Sequence, residues 1–256
     1  MLCDTHAHLT FDPLLHDLPG VLSRARSAGV SRIITVGTTA ADSARAVETA
    51  AGAPDVWAVV GIHPHEAARA TDADVQAVRS LCAAPKVVAL GETGLDYHYD
   101  FSDRPSQQRL FAAQLSIAKE LDLPLVVHCR EAVDDAVAML RDEGFDGRPV
   151  VFHCFTGTAP EAERIAAHGW RISFTGIVTF PNAAQLQGVA RVYPADRLML
   201  ETDAPYLSPV PVRSIRPNEP AHLVHTARFL AELRGESFEA LASRSAENAR
   251  VFFGLP

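Results

Sequence analysis

The sequence predicts a single-domain TIM (β/α)8 barrel of the α/β class over residues 1–256. Short β-branched or apolar runs alternate with longer amphipathic stretches along the chain, which is typical of repeated strand–helix units. Eight of the short runs have the length of a strand, and eight strand–helix units of about 250 residues in all close naturally into a barrel. No Gly/Ser/Pro-rich linker divides the chain, which favours one domain.

The elements are assigned from these runs in chain order. The predicted strands comprise residues 2–5, 32–36, 57–61, 87–91, 125–128, 150–153, 171–174 and 198–201. The predicted helices comprise residues 18–28, 41–51, 106–121, 131–143, 160–168 and 182–192, and two more follow the last strand at 222–234 and 238–252. Pro160 lies near a predicted helix start and Gly144 near a predicted helix end, as helix termini prefer.

An open doubly wound sheet is the alternative architecture. That fold usually carries a Gly-rich phosphate loop directly after its first strand. Here the first predicted strand runs into His-Ala-His at residues 6–8 instead. The barrel is therefore the preferred prediction.

The composition describes an ordinary water-soluble chain, with 48% hydrophobic and 21% charged residues. No apolar run approaches the ~20 residues that a membrane helix needs, and no basic stretch followed by an apolar core opens the sequence. We therefore expect a cytoplasmic protein with no membrane contact and no obligate protein partner. The net charge of −8 disfavours a protein that wraps long nucleic acid on a basic surface, but it leaves room for a small positive pocket.

Polar side chains collect where the predicted strands end, which in this fold is where the chemistry takes place. Six of the 11 histidines lie at these ends, and the other five are assigned ordinary hydrogen-bonding roles. One such histidine is more often a simple hydrogen-bonding group than a ligand, but several on one concave face form the ligand set of a divalent ion. The residues at the strand ends are His6, His8, His63, His65, Glu66, Glu92, Asp96, His128, Arg130, His153, Glu201 and Asp203.

Two pairs of histidines predict two divalent metal ions. His6 and His8 lie two residues apart on an extended segment, so their side chains point to the same face and can bind one ion. His128 and His153 end neighbouring predicted strands and can bind a second. Zn, Mn and Mg satisfy overlapping criteria for such ligands, so the identity of the ions stays open.

The carboxylates complete this prediction. Glu92 lies on a strand between the two histidine pairs, and its two oxygens can bridge the ions. Asp203 can complete the first site and accept a proton from a bound water. In some binuclear hydrolases a carboxylated lysine forms the bridge, but Lys86 precedes its strand and Lys119 lies in a predicted helix. Asp4 lies on the same strand face as His6, deeper in the barrel, where it is expected to support a ligand rather than bind metal.

With these residues in view, the chain resembles the TatD family of metal-dependent deoxyribonucleases, within the amidohydrolase superfamily. The resemblance covers essentially the whole chain. It rests on a series of motifs that are modest singly and specific in this order and spacing. They read DTHAHL, GIHPH, GETGLDY, HCR, HCFTG, ETDAPYL and RPNEP.

The resemblance implies a set of functional residues. The implied metal ligands are His6, His8, Glu92, His128, His153 and Asp203, with Asp203 and Glu92 in catalytic roles. His63 and His65 are implied to line the pocket and to contact phosphate or, in some members, an additional ion. Glu201 is implied to support the site beside Asp203. Thr93 and Tyr97 fit a structural role as well as a functional one, and Tyr206 is expected to pack the loop.

One segment departs from the family pattern. Members often carry an Arg-Gly-Lys-Arg-like stretch before Asn-Glu-Pro, whereas this chain reads VRSIRPNEP at residues 212–220. Ser214 and Ile215 replace the Gly and Lys, and Pro217 is inserted. Arg213 and Arg216, together with Arg130, are still expected to make the rim of the site positive enough to contact phosphate.

These expectations combine into one predicted function. The chain is predicted to be a metal-dependent phosphodiester hydrolase that uses a metal-activated water on DNA, as an exonuclease on ends or single strands. The alternative is a metal-dependent hydrolase of another ester or amide bond, such as a D-aminoacyl-tRNA deacylase, because a fold does not determine the bond that is cut. A non-enzymatic metal-binding scaffold is disfavoured because none of the implied ligands is missing.

Overall fold

A computed structural model describes residues 1–99 and 101–256, and it contains the predicted barrel. Eight parallel strands follow one another in the sheet in the order of the sequence. They are β1 (Leu2–Ala7), β2 (Val30–Val36), β3 (Val56–Val60), β4 (Val87–Asp96), β5 (Leu125–Arg130), β6 (Val150–Phe152), β7 (Arg171–Phe174) and β8 (Leu198–Leu200). The prediction of a (β/α)8 barrel is confirmed.

Helices connect the strands and cover the outside of the sheet. They are α1 (Asp12–Leu15), α2 (Leu18–Ser27), α3 (Ala40–Gly52), α4 (Asp72–Leu81), α5 (Arg104–Glu120), α6 (Val133–Asp142), α7 (Ala159–Ala167), α8 (Ala184–Val192), α9 (Leu223–Arg234) and α10 (Phe238–Phe253). Short 3-10 turns at Pro64–Glu66, Gly176–Thr179 and Pro220–His222 follow β3, β7 and β8. Within the described residues, no helix has both the length and the apolar character needed to cross a membrane.

Two helices were not among the sequence-based predictions, the single turn α1 and the longer α4. In α4 the apolar pattern is weak, since Val78 is its one fully buried residue. Its start is specified by capping instead. Thr71 Oγ1 accepts a hydrogen bond from the amide of Asp74, and the Asp74 carboxylate accepts from the amide of Thr71. Such reciprocal pairs satisfy amide groups that the first helical turn leaves unpaired.

β4 continues beyond its predicted end at residue 91 as far as Asp96. Gly94 makes this extension possible, because it pairs with His128 of β5 at a φ of +133°. A Cβ atom at position 94 would lie 2.0 Å from the carbonyl oxygen of His128. Only glycine therefore lets β4 approach β5 so closely beside a predicted ligand.

The apolar core has two parts. The larger part lies between the strands and the surrounding helices. The smaller part contains Ile34 and Val36, which alternate along β2 with residues of the outer core, so it fills the inside of the barrel. Phe252 and Phe253 of α10 belong to this inner cluster. Helix α10 thus covers the end of the barrel where the strands begin, and the other end is left for polar side chains.

The barrel closes along a seam between β1 and β8. A single bridge joins Ala7 and Ala204 there, in place of a continuous ladder. The amide of Asp203 donates to the carbonyl of His6 at 2.9 Å. The Asp4 carboxylate accepts from both the amide and the hydroxyl of Thr202, at 2.9 and 2.6 Å. The predicted metal ligands His6 and Asp203, together with residues close to them in the chain, therefore join β1 to the end of β8.

Candidate active site

The six predicted metal ligands converge at the carboxyl end of the barrel. Each lies within or just after a different strand, except that β1 supplies two. Five of them, all but the fully buried His6, line a cavity of about 740 Å³, which is also lined by Phe11, His63, His65, Asp96, Tyr99, Arg130 and Tyr206, among others. His6, His8, Glu92 and His153 are buried, whereas His128 and Asp203 are partly exposed towards the cavity.

One ligand group joins β1 to the end of β8. His8 Nε2 lies 3.3 Å from Asp203 Oδ1, and His6 Nε2 lies 3.9 Å from the same oxygen. His8 Nδ1 lies 3.1 Å from the carbonyl oxygen of Val36, which can only accept a hydrogen bond. Nδ1 therefore donates to this carbonyl, and Nε2 is the ring nitrogen that faces Asp203.

A second ligand group lies beside the first and shares Glu92 with it. Glu92 Oε1 is 2.7 Å from His153 Nε2 and 3.0 Å from His128 Nδ1. The other oxygen, Oε2, is 3.4 Å from His6 Nε2 and 3.9 Å from His8 Nε2. The two oxygens of one carboxylate thus face two separate histidine pairs, as expected for a bridging ligand.

The pKa values of these carboxylates and imidazoles depend on one another. Burial raises the pKa of Glu92, but the surrounding histidines, with His153 foremost, hold that pKa well below its usual value. Burial lowers the pKa of His153, but Glu92 and Glu201 outweigh this effect and hold it well above its usual value. Burial likewise raises the pKa of Asp203, and the hydrogen bond from His8 brings it below the usual value. Both carboxylates are therefore ionised at neutral pH.

The residues present fit divalent metal ions. His6 is fully buried, and neither of its ring nitrogens has a hydrogen-bond partner among the described residues. Leaving a buried polar group unpaired costs free energy, and an ion held by His6, His8 and Asp203 would remove that cost. The ligand atoms of these three residues lie within 4.8 Å of one another, as do those of Glu92, His128 and His153.

Asp96 is a site residue to which the sequence did not assign a role. Its Oδ2 atom lies 2.9 Å from His128 Nε2 and 2.9 Å from His65 Nε2. Its Oδ1 atom accepts hydrogen bonds from the amides of His98 and Tyr99. Asp96 therefore fixes the ring of a ligand and the loop after β4 together. Its strand-end position was visible in the sequence, but its partners come from three other segments.

The carboxylate of Glu201 lies beside His153 of the second ligand group. Its Oε1 atom lies 3.4 Å from His153 Nδ1 and accepts a hydrogen bond from the amide of Cys154 at 2.6 Å. Its Oε2 atom accepts from the hydroxyl of Ser173 at 2.6 Å. This buried carboxylate can orient the His153 ring so that Nε2 faces Glu92. Asp4, by contrast, contacts the amide of His6 at 3.3 Å and not its ring.

The residues predicted to bind substrate occupy different places. His63 lies inside the ligand cluster, with Nε2 3.3 Å from Glu92 Oε1. Burial lowers its pKa to about 4, so this ring is neutral at pH 7. Arg130 lines the cavity, whereas Arg213 is exposed, with its guanidinium 4.0 Å from the centre of the Phe180 ring. Arg213 is not among the residues that line the cavity.

Tyr206 differs from its predicted role of packing the loop. The loop after β8 is instead held by buried Asn218, whose Nδ2 donates to the carbonyls of Thr202 and Tyr206 at 3.1 and 2.6 Å. The Tyr206 side chain is 49% exposed and lines the cavity beside His8. An exposed aromatic ring next to the ligands was not predicted, because the sequence does not show which side of the loop faces the cavity.

Comparison with known proteins agrees with this geometry. Residues 3–254 match the family model described as TatD related DNase. The chain belongs to the TatD-related DNase family. It is 41% identical over 255 residues to the uncharacterized metal-dependent hydrolase YabD of Bacillus subtilis strain 168, and the match covers 100% of both chains. It is 38% identical over 257 residues to the 3'-5' ssDNA/RNA exonuclease TatD of Escherichia coli K12, with 98% of each chain covered.

A solved structure shows the same TatD fold. The TatD homologue YJJV from Escherichia coli K12 has a TM-score of 0.95 and 33% identity to this chain, with 100% of this chain and 98% of that chain covered. The predicted family, the predicted fold and the predicted class of metal-dependent hydrolase are confirmed by these comparisons. The individual metal ligands and substrate contacts stay predictions.

Proposed function

We propose that this protein is a metal-dependent exonuclease that hydrolyses phosphodiester bonds at the ends of single-stranded DNA or RNA, in the 3'-5' direction. The observation that carries the proposal is the placement of Glu92 between two histidine groups, each within reach of one of its oxygens. The Escherichia coli relative TatD is named a 3'-5' ssDNA/RNA exonuclease, which supports the choice of substrate and direction. The expected cytoplasmic location stays a prediction.

We further propose two divalent ions, with Zn, Mn and Mg as candidates. His6, His8 and Asp203 would hold one ion, His128 and His153 the other, and Glu92 both. When bound, such a pair supplies Lewis acidity that activates a water and neutralises charge on the phosphate. Metal binding requires these imidazoles in their neutral form and the carboxylates in their ionised form.

Asp203 is the group that we assign to proton transfer. It is ionised, and its side chain is more exposed to the cavity than that of Glu92, at 14% against 4%. A carboxylate at the open side of the cluster can orient the attacking water and accept its proton at Oδ1 or Oδ2. Glu92 is more deeply buried than Asp203, and we assign to it the role of holding the two ligand groups in position relative to each other.

The substrate contacts follow from charge and position. His63 is neutral and its Nδ1 accepts from the amide of His65, so its one donor is Nε2–H beside Glu92 Oε1, where it can serve a phosphate oxygen that reaches Glu92 without adding charge. His65 and Arg130 line the same cavity and offer further donors. Arg213 is assigned to a phosphate farther along the strand. Because the chain as a whole carries −8, this local set must attract the substrate, which favours a few nucleotides over a long duplex.

The test uses the full chain loaded in turn with Zn, Mn and Mg. Single-stranded oligonucleotides labelled at the 5' or 3' end, a blunt duplex and a D-aminoacyl-tRNA are offered separately. We expect stepwise release of nucleotides from 3' ends, abolished by a chelator and by Asp203→Asn or His128→Ala. The variant Asp196→Asn changes an exposed carboxylate outside the cavity and serves as the matched control.

Other outcomes of this experiment would contradict the proposal or establish the alternative function. Full activity in chelator, or in either site variant with its circular dichroism unchanged, would contradict the proposal. Release of the amino acid from D-aminoacyl-tRNA without release of nucleotides would instead establish the deacylase alternative.

A further inference from the structure

Aromatic side chains are exposed at one place on this protein. All 12 Phe, 4 Tyr and 2 Trp residues lie in the described part of the chain, and three of them are classed as exposed. Their exposed fractions are 41% for Tyr99, 66% for Phe101 and 49% for Tyr206. Tyr99 and Tyr206 line the cavity of the candidate active site, and Phe101 contacts the His65 ring beside it. Clustered exposed aromatic surface marks a binding surface.

The first aromatic surface borders the His8 side of the site. The Phe11 ring is stacked on the His8 ring with a centroid distance of 4.8 Å and an interplanar angle of 18°. Tyr206 lies edge-on to Phe11 at 6.2 Å and to His8 at 6.3 Å. We call Phe11 and Tyr206 the β8-side platform. One face of this platform is occupied by a predicted metal ligand, and Tyr206 extends into the cavity.

The second aromatic surface borders the His65 side. The rings of Tyr99 and Phe101 stack on each other with a centroid distance of 5.5 Å and an angle of 22°. Phe101 lies 4.8 Å from the His65 ring. The guanidinium of Arg130 lies 4.8 Å from the centre of the Tyr99 ring. We call Tyr99 and Phe101 the β4-side platform, with Arg130 placing a positive charge against it.

The two platforms lie at opposite ends of one row of polar groups. The row runs from His8 through Glu92 and His128 to Asp96 and His65, with successive side-chain atoms 2.9 to 3.9 Å apart. A phosphodiester bound along this row has one nucleoside on each side of it. Each nucleoside would reach one platform.

The platforms are fixed in position by the site itself. The amide of Tyr206 donates to the carbonyl of Asp203 at 2.9 Å, and its carbonyl accepts from Asn218. The amide of Tyr99 donates to Asp96 Oδ1 at 3.0 Å. Because the backbone of Tyr206 is tied to the backbone of Asp203, and that of Tyr99 to the Asp96 carboxylate, little backbone ordering remains when a base stacks on either ring.

We infer that the β8-side and β4-side platforms stack the two unpaired nucleobases that flank the scissile phosphate. The inference rests on the proposed function and extends it to substrate selection. Every base has a π-face, so stacking on aromatic rings tolerates all sequences. In a duplex the same faces are covered by neighbouring base pairs. The platforms therefore select single strands and frayed ends by stacking, with no base-specific hydrogen bonds.

The test pairs the loss of a ring with the loss of a base. Tyr206→Ala and Tyr99→Ala are compared with oligonucleotides whose 3'-terminal or penultimate nucleotide is abasic. Loss of one base-stacking contact is worth about 5- to 150-fold in affinity, so we expect KM to rise about tenfold for each variant on intact DNA. Each variant should then be indifferent to the removal of one of the two bases. Val251→Ala, an exposed apolar residue of α10, is the matched control.

A second readout does not depend on turnover. In the Asp203→Asn background, an oligonucleotide with 2-aminopurine at the 3' end should lose fluorescence on binding. One of the two variants Tyr206→Ala and Tyr99→Ala, whichever removes the platform of the 3'-terminal base, should restore that fluorescence, whereas its corresponding Phe variant should keep it quenched. If the oligonucleotide is quenched on binding but the wild-type protein releases no nucleotides, the proposed function is rejected and the stacking of bases is not.

Two results would overturn the inference. One is an unchanged KM in both Ala variants combined with undiminished sensitivity to both abasic positions. The other is a change in the sedimentation coefficient of the metal-loaded protein caused by the same variants, with no change in quenching. That result would assign the exposed rings to contact with a second copy of the chain.

Discussion

Asp96 Oδ2 lies 2.9 Å from His128 Nε2, on the side of the ring opposite to the nitrogen that faces Glu92. Carboxylates in this position hold a ligand ring in one orientation, and their loss typically costs 10- to 100-fold in metal affinity or activity. We expect Asp96→Asn to weaken ion binding by about that factor, measured by competition with a fluorescent chelator. The amide retains an oxygen for the amides of His98 and Tyr99, so the loop should keep its fold.

The control for this variant is another carboxylate–histidine pair in the chain. Asp146 Oδ1 lies 2.6 Å from His168 Nδ1, away from the candidate site. Asp146→Asn should leave ion affinity unchanged. An equal affinity for ions in Asp96→Asn and the wild type would show that His128 does not need its carboxylate partner.

Gln114 of α5 holds the segment that leads to His63. Its side chain accepts from the amide of Ile62 and donates to the carbonyl of Ile62 and to the hydroxyl of Thr93, all within 2.7 to 2.9 Å. Gln114→Ala would leave these buried groups unpaired, at a cost of about 1–3 kcal/mol. The free energy of unfolding in urea should fall accordingly. Gln108→Ala, on the same helix but partly exposed, should cost less, and equal losses would refute this reasoning.

Binding of metal ions should compete with protonation of the histidines in the site. Burial lowers the pKa of His128, but its hydrogen bonds with Asp96 and Glu92 bring it above the usual value in the metal-free protein, and the pKa of His153 is raised as well. A metal ion binds neutral imidazole. Below these raised pKa values each ion must displace protons, so affinity falls as pH falls and levels off as pH rises past them.

Calorimetric titration in two buffers with different ionisation enthalpies measures the protons released per ion. The number should decrease as pH is raised from 6 towards 9. Release of no protons at pH 6 would show that the imidazoles are already neutral in the metal-free protein.

Removal of ions should lower thermal stability. An ion at 100 times its dissociation constant stabilises the folded state by about 2.7 kcal/mol if it binds only that state. Added Zn or Mn should therefore raise the Tm of the metal-free protein, and a chelator should reverse the increase. In Glu92→Gln most of this increase should disappear, because Glu92 faces both ligand groups. An undiminished increase in that variant would place the ions elsewhere.

The convergence of the six predicted ligands could be expected from the sequence because each lies near the carboxyl end of a recognisable strand. Once eight parallel strands form a barrel, their carboxyl ends meet, and residues as far apart as His6 and Asp203 must be neighbours. The strands themselves are short, almost fully buried apolar runs that alternate with longer amphipathic stretches. The prediction of the fold and the prediction of the site therefore both rested on recognising these short apolar runs.

The roles of Asp96 and Tyr206 could not be predicted in the same way. Asp96 acts through contacts with His65 and His128, and both depend on the passage of β4 past Gly94. Tyr206 lies in an irregular loop, where no periodic pattern shows which face a side chain takes. Helix α4 escaped prediction because capping at Thr71, rather than an apolar stripe, specifies its start. The unpredicted features are those determined by tertiary contacts or by single capping residues.

The seam between β1 and β8 has a consequence for how this sequence can change over time. His6 and Asp203 bind each other through the backbone, and Asp4 binds Thr202, so the residues that surround the chemistry also fasten the first strand of the sheet to the last. A substitution at this seam meets two selective pressures at once, one from catalysis and one from folding. A descendant that abandoned its metals would still need the side chains of Asp4 and Thr202 for the fastening, so this pair can outlive the activity, whereas the backbone bond between positions 6 and 203 requires neither His nor Asp.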